Sequence, residues 1–337
     1  MTDQNRSATP VLSVRDLRVA YATPTGMLHA VDGVSIDVAA GESVGLVGES
    51  GCGKSTMGKA LMQLLPPGAE MSGSVTLQGE ELVGINARRL RKIRGEDMAL
   101  VFQEPMTRLD PLMRVSDHFV EAIRAHRPKT KKDEARAMAR EALMQMGIPP
   151  TRADNYPHEF SGGMRQRIMI ALGIVMRPYL VIADEPTTAL DVIVEAQILD
   201  LLDRLRREED LGLILITHNL GIVAETCDRV AVMYAGRIVE VGPVEEVFTD
   251  PKHPYTQGLL RSVISADTVE LASIDGFPPN LLDPPTGCRF APRCDQRFEP
   301  CTTVDPSLTP VSDATRAACL LYPGAETGAD ATHEMAR

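Results

Sequence analysis

Three groups of residues in this 337-residue chain have the types and spacing to do chemistry. The first is the loop Gly48-Glu49-Ser50-Gly51-Cys52-Gly53-Lys54-Ser55, with Thr56 after it. It follows a short apolar run, Val44 to Val47, and precedes apolar residues at helical spacing, Met57, Leu61, Met62 and Leu65. Strand, glycine loop and helix in that order match a phosphate-binding P-loop, whose backbone N–H groups and helix N-terminus cradle an anion. Lys54 is placed to reach the β and γ phosphates of a nucleotide, and Ser55 to offer a hydroxyl to Mg²⁺. The second group closes a buried strand pattern, Leu180-Val181-Ile182-Ala183-Asp184, and continues to Glu185. Asp184 is expected to hold Mg²⁺ directly or through water, and Glu185 is the candidate general base for an attacking water. The plain alternative is a surface carboxylate pair at a strand end.

The third group is Cys288, Cys294, Cys301 and Cys319, with five, six and seventeen residues between successive thiols. A reducing compartment disfavours structural disulfides, so a cluster of four reads as a metal site. The tight pairs usual in zinc fingers are absent. Four thiolates can hold a tetrahedral zinc or an iron–sulfur cluster, and spacing does not choose between them. Cys52 and Cys227 lie far off and read as small apolar filler.

These groups need a scaffold, and the composition supplies one, with 44% hydrophobic and 24% charged residues. A net charge of −11 argues against a nucleic-acid surface. Residues 1–10 are polar and unlike a secretory signal. The longest apolar run, Ile168 to Met176, is nine residues, whereas a spanning helix needs roughly 20. The expectation is a cytosolic protein that meets a membrane only through partners.

Leu17, Val19 and Tyr21, and then Val34, Ile36 and Val38, alternate as half-buried strands do. Pro66-Pro67-Gly68 stops the helix after the glycine loop, and residues 73–84 return to short strands. From Val115 to about Gln145 the chain reads as a helical region inserted between two stretches of an α/β core. A helix through Ile198, Leu201, Leu202 and Leu205 and a buried strand, Leu213 to Ile216, follow. Ala235-Gly236 joins Val230–Tyr234 to Arg237–Val241 as a hairpin. No internal repeat or second glycine loop occurs, so one nucleotide cassette is expected. Residues 276–310 are rich in proline and cysteine with little periodicity, and 324–337 read as a loose tail.

Weaker features fall in a meaningful order. Gln103 follows the strand Met98 to Phe102, Ser161-Gly162-Gly163 precedes a helix start, and His218 follows a buried strand. A single histidine there is more often structural, but the set in this order resembles the ATP-binding subunits of ABC transporters. The matching segments are the Walker A loop, Gln103 as Q-loop and Phe160-Ser161-Gly162-Gly163-Met164 as signature. Leu180 to Glu185 matches Walker B, Thr188-Ala189-Leu190-Asp191 the D-loop, and Thr217-His218 the switch histidine. Tyr21 sits where the family stacks an aromatic on adenine; otherwise it is an ordinary strand tyrosine. The signature departs from the commonest form at Phe160 and Met164, with serine and glycines intact.

Val101 to Thr107, Tyr156-Pro157-His158-Glu159, His253-Pro254-Tyr255-Thr256 and Gly287 to Cys294 resemble one branch, the ATPases of oligopeptide, dipeptide and nickel importers. This resemblance covers about residues 11–323. It implies an α/β fold: a P-loop ABC ATPase core with an antiparallel β subdomain and a helical subdomain (about 106–178), plus a small Cys-rich C-terminal domain. The implied bounds are a tail at 1–10, the nucleotide-binding domain at 11–250, the peptide-importer region at 251–323 and a tail at 324–337. The implied mechanism is head-to-tail closure with a related ATPase. Tyr21, Gly48, Ser50, Gly51, Cys52, Gly53, Lys54, Ser55 and Thr56 then bind this chain's ATP. Ser161, Gly162, Gly163 and Met164 serve the partner's, and Asp191 joins the two sites. Glu185, His218 and Gln103 are the implied catalytic set; Ser55, Gln103 and Asp184 hold Mg²⁺. Similar tails in some peptide-importer ATPases carry a 4Fe-4S cluster, which the resemblance implies for these four cysteines, with zinc or unmetallated thiols as the alternatives. The implied partners are a second ATPase, two permeases and an extracytoplasmic solute-binding protein, without nucleic acid, at the cytoplasmic face of the membrane. Nickel or another small solute is an alternative cargo. A soluble ABC-type ATPase of translation or DNA repair is the alternative class, against which stand the single cassette and the acidic charge.

Overall fold

A computed structural model describes residues 10–101, 109–188, 190–262 and 274–325. The chain opens with long strands β1 (Leu12–Thr23) and β2 (Gly26–Val38), then β3 (Ser43–Val47) and helix α1 (Lys54–Leu61). Next come β4 (Ala69–Leu77), β5 (Glu80–Glu81), α2 (Ala87–Glu96) and β6 (Met98–Val101). A helical stretch follows: α3 (Val115–His126), α4 (Lys132–Gln145) and α5 (Gly162–Ile174). The order then alternates through β7 (Leu180–Asp184), α6 (Val192–Glu209), β8 (Gly212–Ile216) and α7 (Leu220–Thr226). Strands β9 (Arg229–Tyr234) and β10 (Arg237–Pro243), helices α8 (Val244–Thr249) and α9 (Pro254–Arg261), and short strands β11 (Thr309–Pro310) and β12 (Arg316–Ala317) complete it. No helix among the described residues is long and apolar enough to cross a membrane.

The helical region expected from Val115 to Gln145 is built of two helices. Pro128 disfavours helical backbone in the residue before it, and Arg127 leaves the helix at φ −117°, ψ 74°. Two short strands, β11 and β12, lie where sequence periodicity was too brief to register.

Two compact units make up the chain. The first contains Asp37–Ser43 and Val75–Ile216 with the described residues up to Ser13. Here β6, β7 and β8 form a parallel ladder, with Leu100 opposite Ile182 and Ile182 opposite Ile214. Leu180, Val181, Ile182 and Ala183 are all buried, as expected of a parallel strand covered on both faces. Helices α3 and α4 pack together, both touch α5, and α5 also packs on β6 and α6.

The second unit contains Val14–Ile36, Val44–Ser74 and the residues from Thr217 onward. Strand β3 pairs in parallel with β9, β9 with β10 antiparallel, and β10 with β12, which pairs with β11. Both turn residues between β9 and β10 have positive φ, Ala235 at 47° and Gly236 at 86°, the twist that suits a two-residue hairpin. A core of Val47, Val230, Val232, Val239, Val247 and neighbours is closed by three rings. Tyr234 lies 4.5 Å from Tyr255 and 5.2 Å from Phe290, and Tyr255 lies 5.4 Å from Phe290. Phe290 belongs to the cysteine segment, so that segment is seated in this unit's core.

Charge fastens the same segment. Asp32 on β2 accepts from Arg237 at 2.8 Å and also pairs with Arg289 and Arg18. Arg289 donates as well to the Ala235 carbonyl, and Arg237 reaches Asp305. Burial raises the Asp32 carboxyl, but the hydrogen bond and charge of Arg237, with Arg289 and Arg18, outweigh it and hold the group below its ordinary value. A carboxyl with a depressed folded pKa lends its full stabilisation above the ordinary carboxylate value of about 3.9, and loses it as pH falls further. Asp32→Asn leaves the buried Arg289 without its carboxylate and is expected to cost about 3 kcal/mol at pH 7. Denaturant unfolding at pH 7 and again near pH 3 checks this, with the gap between variant and wild type narrowing in acid.

Candidate phosphate site and thiol cavity

The glycine loop lies in the second unit, between the fully buried strand β3 and helix α1. Its shape admits no side chain at two points. A Cβ on Gly48 would stand 2.1 Å from the Met233 carbonyl oxygen, and one on Gly53 2.2 Å from that of Ala30. Gly53 also has φ 108° as the residue before α1, a conformation costly for other residues. The loop is tied to the β9–β10 turn, since Gly236 N–H donates to the Cys52 carbonyl at 2.9 Å.

Lys54 is buried, and its Nζ donates to the carbonyls of Gly48 at 2.7 Å and Glu49 at 3.0 Å, with Cys52 Sγ at 3.7 Å. Burial pushes the Cys52 thiol up, though Lys54 opposes it, so the thiol stays protonated and inert. Ser50, Gly51 and Ser55 are exposed at the loop's open side, with Thr56 half-buried behind them. The half-buried Tyr21 places its hydroxyl 3.4 Å from Thr56 Oγ1. Exposed His218 is held beside the loop's strand by Thr217, whose N–H donates to the Leu46 carbonyl at 3.2 Å. Asn219 then caps α7 through Gly221 and Ile222. Tyr21, Lys54 and His218 are thus all gathered in one unit with the loop.

The carboxylates and the signature lie in the first unit. Asp184 ends β7, half-buried. Glu185 follows at φ 47°, a left-handed conformation that costs a non-glycine residue about 1 kcal/mol or more and clusters at functional sites. Its N–H donates to the Ile216 carbonyl at 2.8 Å, and Thr188 Oγ1 donates to its Oε2 at 2.9 Å. The carboxylate is aimed by a hydroxyl three residues on, a role that the sequence did not suggest.

Ser161 caps α5, its hydroxyl accepting from Met164 N–H at 3.4 Å. A Cβ on Gly163 would stand 2.4 Å from Val194 Cγ1, so that glycine lets α5 meet the start of α6. Asp191 caps α6 by accepting from Val194 N–H at 3.0 Å. The two unusual signature residues share a partner: Arg152 lies 4.3 Å over the Phe160 ring and 3.5 Å from Met164 Sδ. Gln103 lies outside the described residues.

In the second unit, Cys288, Cys294, Cys301 and Cys319 line one small cavity with His253, Phe290 and Leu320. None is in a disulfide. Cys288 N–H donates to the Cys301 carbonyl at 2.9 Å, tying the backbones of those two residues together. Burial pushes Cys288 and Cys294 up, and Cys319 up to about 11. Burial thus favours the protonated form of these thiols. Among the described residues no three His, Cys, Asp or Glu side chains are grouped closely enough to hold one metal ion. His253, fully buried, has its pKa driven down to about 3 by burial; as a neutral ring it caps α9 by accepting from Tyr255 N–H at 3.0 Å.

A family model for ABC transporters matches residues 31–188, and one for the oligopeptide/dipeptide transporter C-terminal region matches 239–301. The chain is 47% identical to the dipeptide transport ATP-binding protein DppD of Bacillus subtilis, over 92% of this chain and 94% of that protein. It is 46% identical to the oligopeptide transport ATP-binding protein OppD of Salmonella typhimurium, over 90% and 92%. Among solved structures, the post-hydrolysis dimer of the ATP-binding cassette MJ0796 with ADP and Pi aligns at TM-score 0.62 and 26% identity, covering 69% of this chain and 98% of that one. The cassette cbiO1 of Clostridium perfringens aligns at TM-score 0.62 and 31% identity, covering 72% and 92%. The fold is therefore that of an ABC ATPase. The chain belongs to the ABC transporter family, in the branch of the oligopeptide and dipeptide transport ATP-binding subunits. It hydrolyses ATP to power transport. Relatives of this kind disfavour a translation or repair ATPase.

Gly53→Ala sets a side chain against a backbone carbonyl and is expected to lower Mg-ATP affinity at least about tenfold, with a thermal midpoint lower by several degrees. Equilibrium ATP binding and a melting curve check both.

Proposed function

We propose that this chain is one of two ATPases beneath a permease pair that imports oligopeptides or dipeptides, at the cytoplasmic face of a membrane. The observation that carries it is the phosphate loop built onto a C-terminal segment of the peptide-transporter type. Near-full-length likeness to a dipeptide and an oligopeptide transport subunit supports the cargo class. The solved dimer of a related cassette supports pairing with a second, homologous ATPase. A solute-binding protein outside the membrane delivers the peptide in such a system. On this reading residues 11–250 are the nucleotide-binding domain and 251–323 a small cysteine-rich addition.

Within the chain, the loop from Gly48 to Thr56 binds the phosphates through backbone N–H groups. Tyr21 lies against the base, and Lys54 releases its loop carbonyls to reach the β and γ phosphates. Ser55 and Asp184 offer hard oxygen donors that suit Mg²⁺, with Gln103 completing the set. When bound, the magnesium neutralises phosphate charge. Glu185, aimed by Thr188, takes a proton from the attacking water, and His218 donates to a γ-phosphate oxygen. Ser161, Gly162, Gly163 and Met164 present the α5 N-terminus to the partner's nucleotide, and Asp191 couples the two sites. Arg152, packed on both Phe160 and Met164, supports a working signature despite its unusual residues.

The four cysteines hold a 4Fe-4S cluster. Four soft thiol donors around one apolar cavity suit that group. The cluster supplies a structural cross-link for a segment with little secondary structure.

Glu185→Gln is expected to bind ATP normally, to hydrolyse it at least about 100-fold more slowly, and to accumulate as a closed dimer with its partner. Hydrolysis at the wild-type rate would remove Glu185 from the base role. Anaerobically purified protein is expected to contain about four irons and four acid-labile sulfides per chain. Zinc without sulfide would replace the cluster by a single ion.

A further inference from the structure

Arg293 stands between the thiol cavity and the phosphate loop. It precedes Cys294, and its side chain is only 5% exposed. Its guanidinium grips the Glu49 carboxylate with both arms, Nη1 to Oε2 at 2.8 Å and Nη2 to Oε1 at 2.9 Å. Nη1 also donates to Tyr234 Oη at 3.3 Å, Nη2 to the Ile274 carbonyl at 3.1 Å, and Nε to the Asp275 carbonyl at 2.9 Å. All five N–H donors of the group are thereby engaged.

Glu49 is held a second time. Its backbone N–H donates to Tyr255 Oη at 2.9 Å, and Tyr255 is completely buried. That hydroxyl is positioned by the start of α9, where His253 caps Tyr255 N–H and Glu240 accepts from the N–H groups of Lys252 and His253 at 2.7 and 2.9 Å. The loop residue that opens the phosphate cradle is therefore fixed by side chain and backbone alike, both times from the region after the nucleotide core.

The third hold on Glu49 is temporary. Lys54 Nζ donates to the Gly48 and Glu49 carbonyls, and a lysine that turns to phosphate gives those contacts up. Arg293 and Tyr255, with the Cys52 N–H on the Glu49 carbonyl at 3.3 Å, then remain to keep the peptide planes at 48–50 in the shape that leaves the following N–H groups facing the anion. Without them, the loop must be ordered by the nucleotide itself, which lowers affinity.

We propose that Arg293 and Tyr255 are positioning residues for the phosphate loop, so that the C-terminal cysteine segment sets nucleotide affinity through Glu49. The inference rests on the reading of that loop as the ATP site. The test compares wild type, Arg293→Met, Arg293→Lys, Glu49→Gln, Tyr255→Phe and the Arg293→Met/Glu49→Gln double variant. Mg-ATP binding is measured on the full chain, and KM and kcat for ATP on the assembled transporter. Expected is a rise of about tenfold in Kd and KM for Arg293→Met and for Glu49→Gln, with kcat within about twofold, because the loss falls on loop ordering and not on the chemical step. The double variant is expected to be no worse than either single one, as for two halves of one contact. Arg293→Lys restores little, since an ammonium cannot make the fork. Folded variants with wild-type KM, or a double variant whose effect is the product of the singles, overturn the proposal. Should Arg293→Met not fold, Glu49→Gln and Tyr255→Phe, which remove no cavity residue, decide by the same measure. A wild-type chain that fails to bind Mg-ATP overturns the ATP-site reading with it, whereas ATP-binding wild type with indifferent variants overturns this inference alone.

Discussion

A loop that binds phosphate with its backbone must keep most of its N–H groups unspent, so internal hydrogen bonds alone cannot hold its shape. Everything around Gly48 to Gly53 answers that constraint. The carbonyls of Ala30 and Met233 press so closely that only glycine fits. The β9–β10 turn donates to the loop at Cys52, and Lys54 satisfies two carbonyls while no phosphate claims it. Glu49 is pinned from behind by Arg293 and Tyr255. Shape is thus imposed on the loop by neighbours that are far away in sequence.

The same logic explains why a proline-rich C-terminal segment with little secondary structure is ordered at all. It contributes Phe290 to an aromatic cluster with Tyr234 and Tyr255, Arg289 to the buried carboxylate of Asp32, and two short strands to the edge of β10. Each is a modest interaction; jointly they replace the regular hydrogen bonding that the segment lacks. The four thiols share one cavity whose wall includes Phe290, the ring seated in that aromatic cluster.

Much of the site was legible in residue order. The glycine loop, the strand ending in Asp184 and Glu185, and the Ser161 cap are all local patterns, in which chemistry and geometry depend on neighbours within a few residues. Val115 to Gln145 was legible as a helical region, but the break within it is set by Pro128 acting on the backbone of Arg127, which composition conceals. The hold of Thr188 on Glu185 and the contacts of Arg152 escaped notice, because a hydroxyl or a guanidinium has no periodicity to announce its partner. Arg293 and Tyr255 sat inside segments already singled out, and only their addresses were missing.

By itself the sequence determined which atoms could bind phosphate, hold a hard cation and gather as thiols, because those functions reside in short runs whose local backbone is set by glycine, proline and capping residues. Tertiary structure decided what each charged residue is for. Arg293 and Glu49 are 244 residues apart, and Arg289 and Asp32 are 257 apart. No local preference distinguishes such arginines from the many that remain in solvent. Only the fold, by removing water from around them and leaving one carboxylate within reach, makes each of those pairings the one that lowers the free energy.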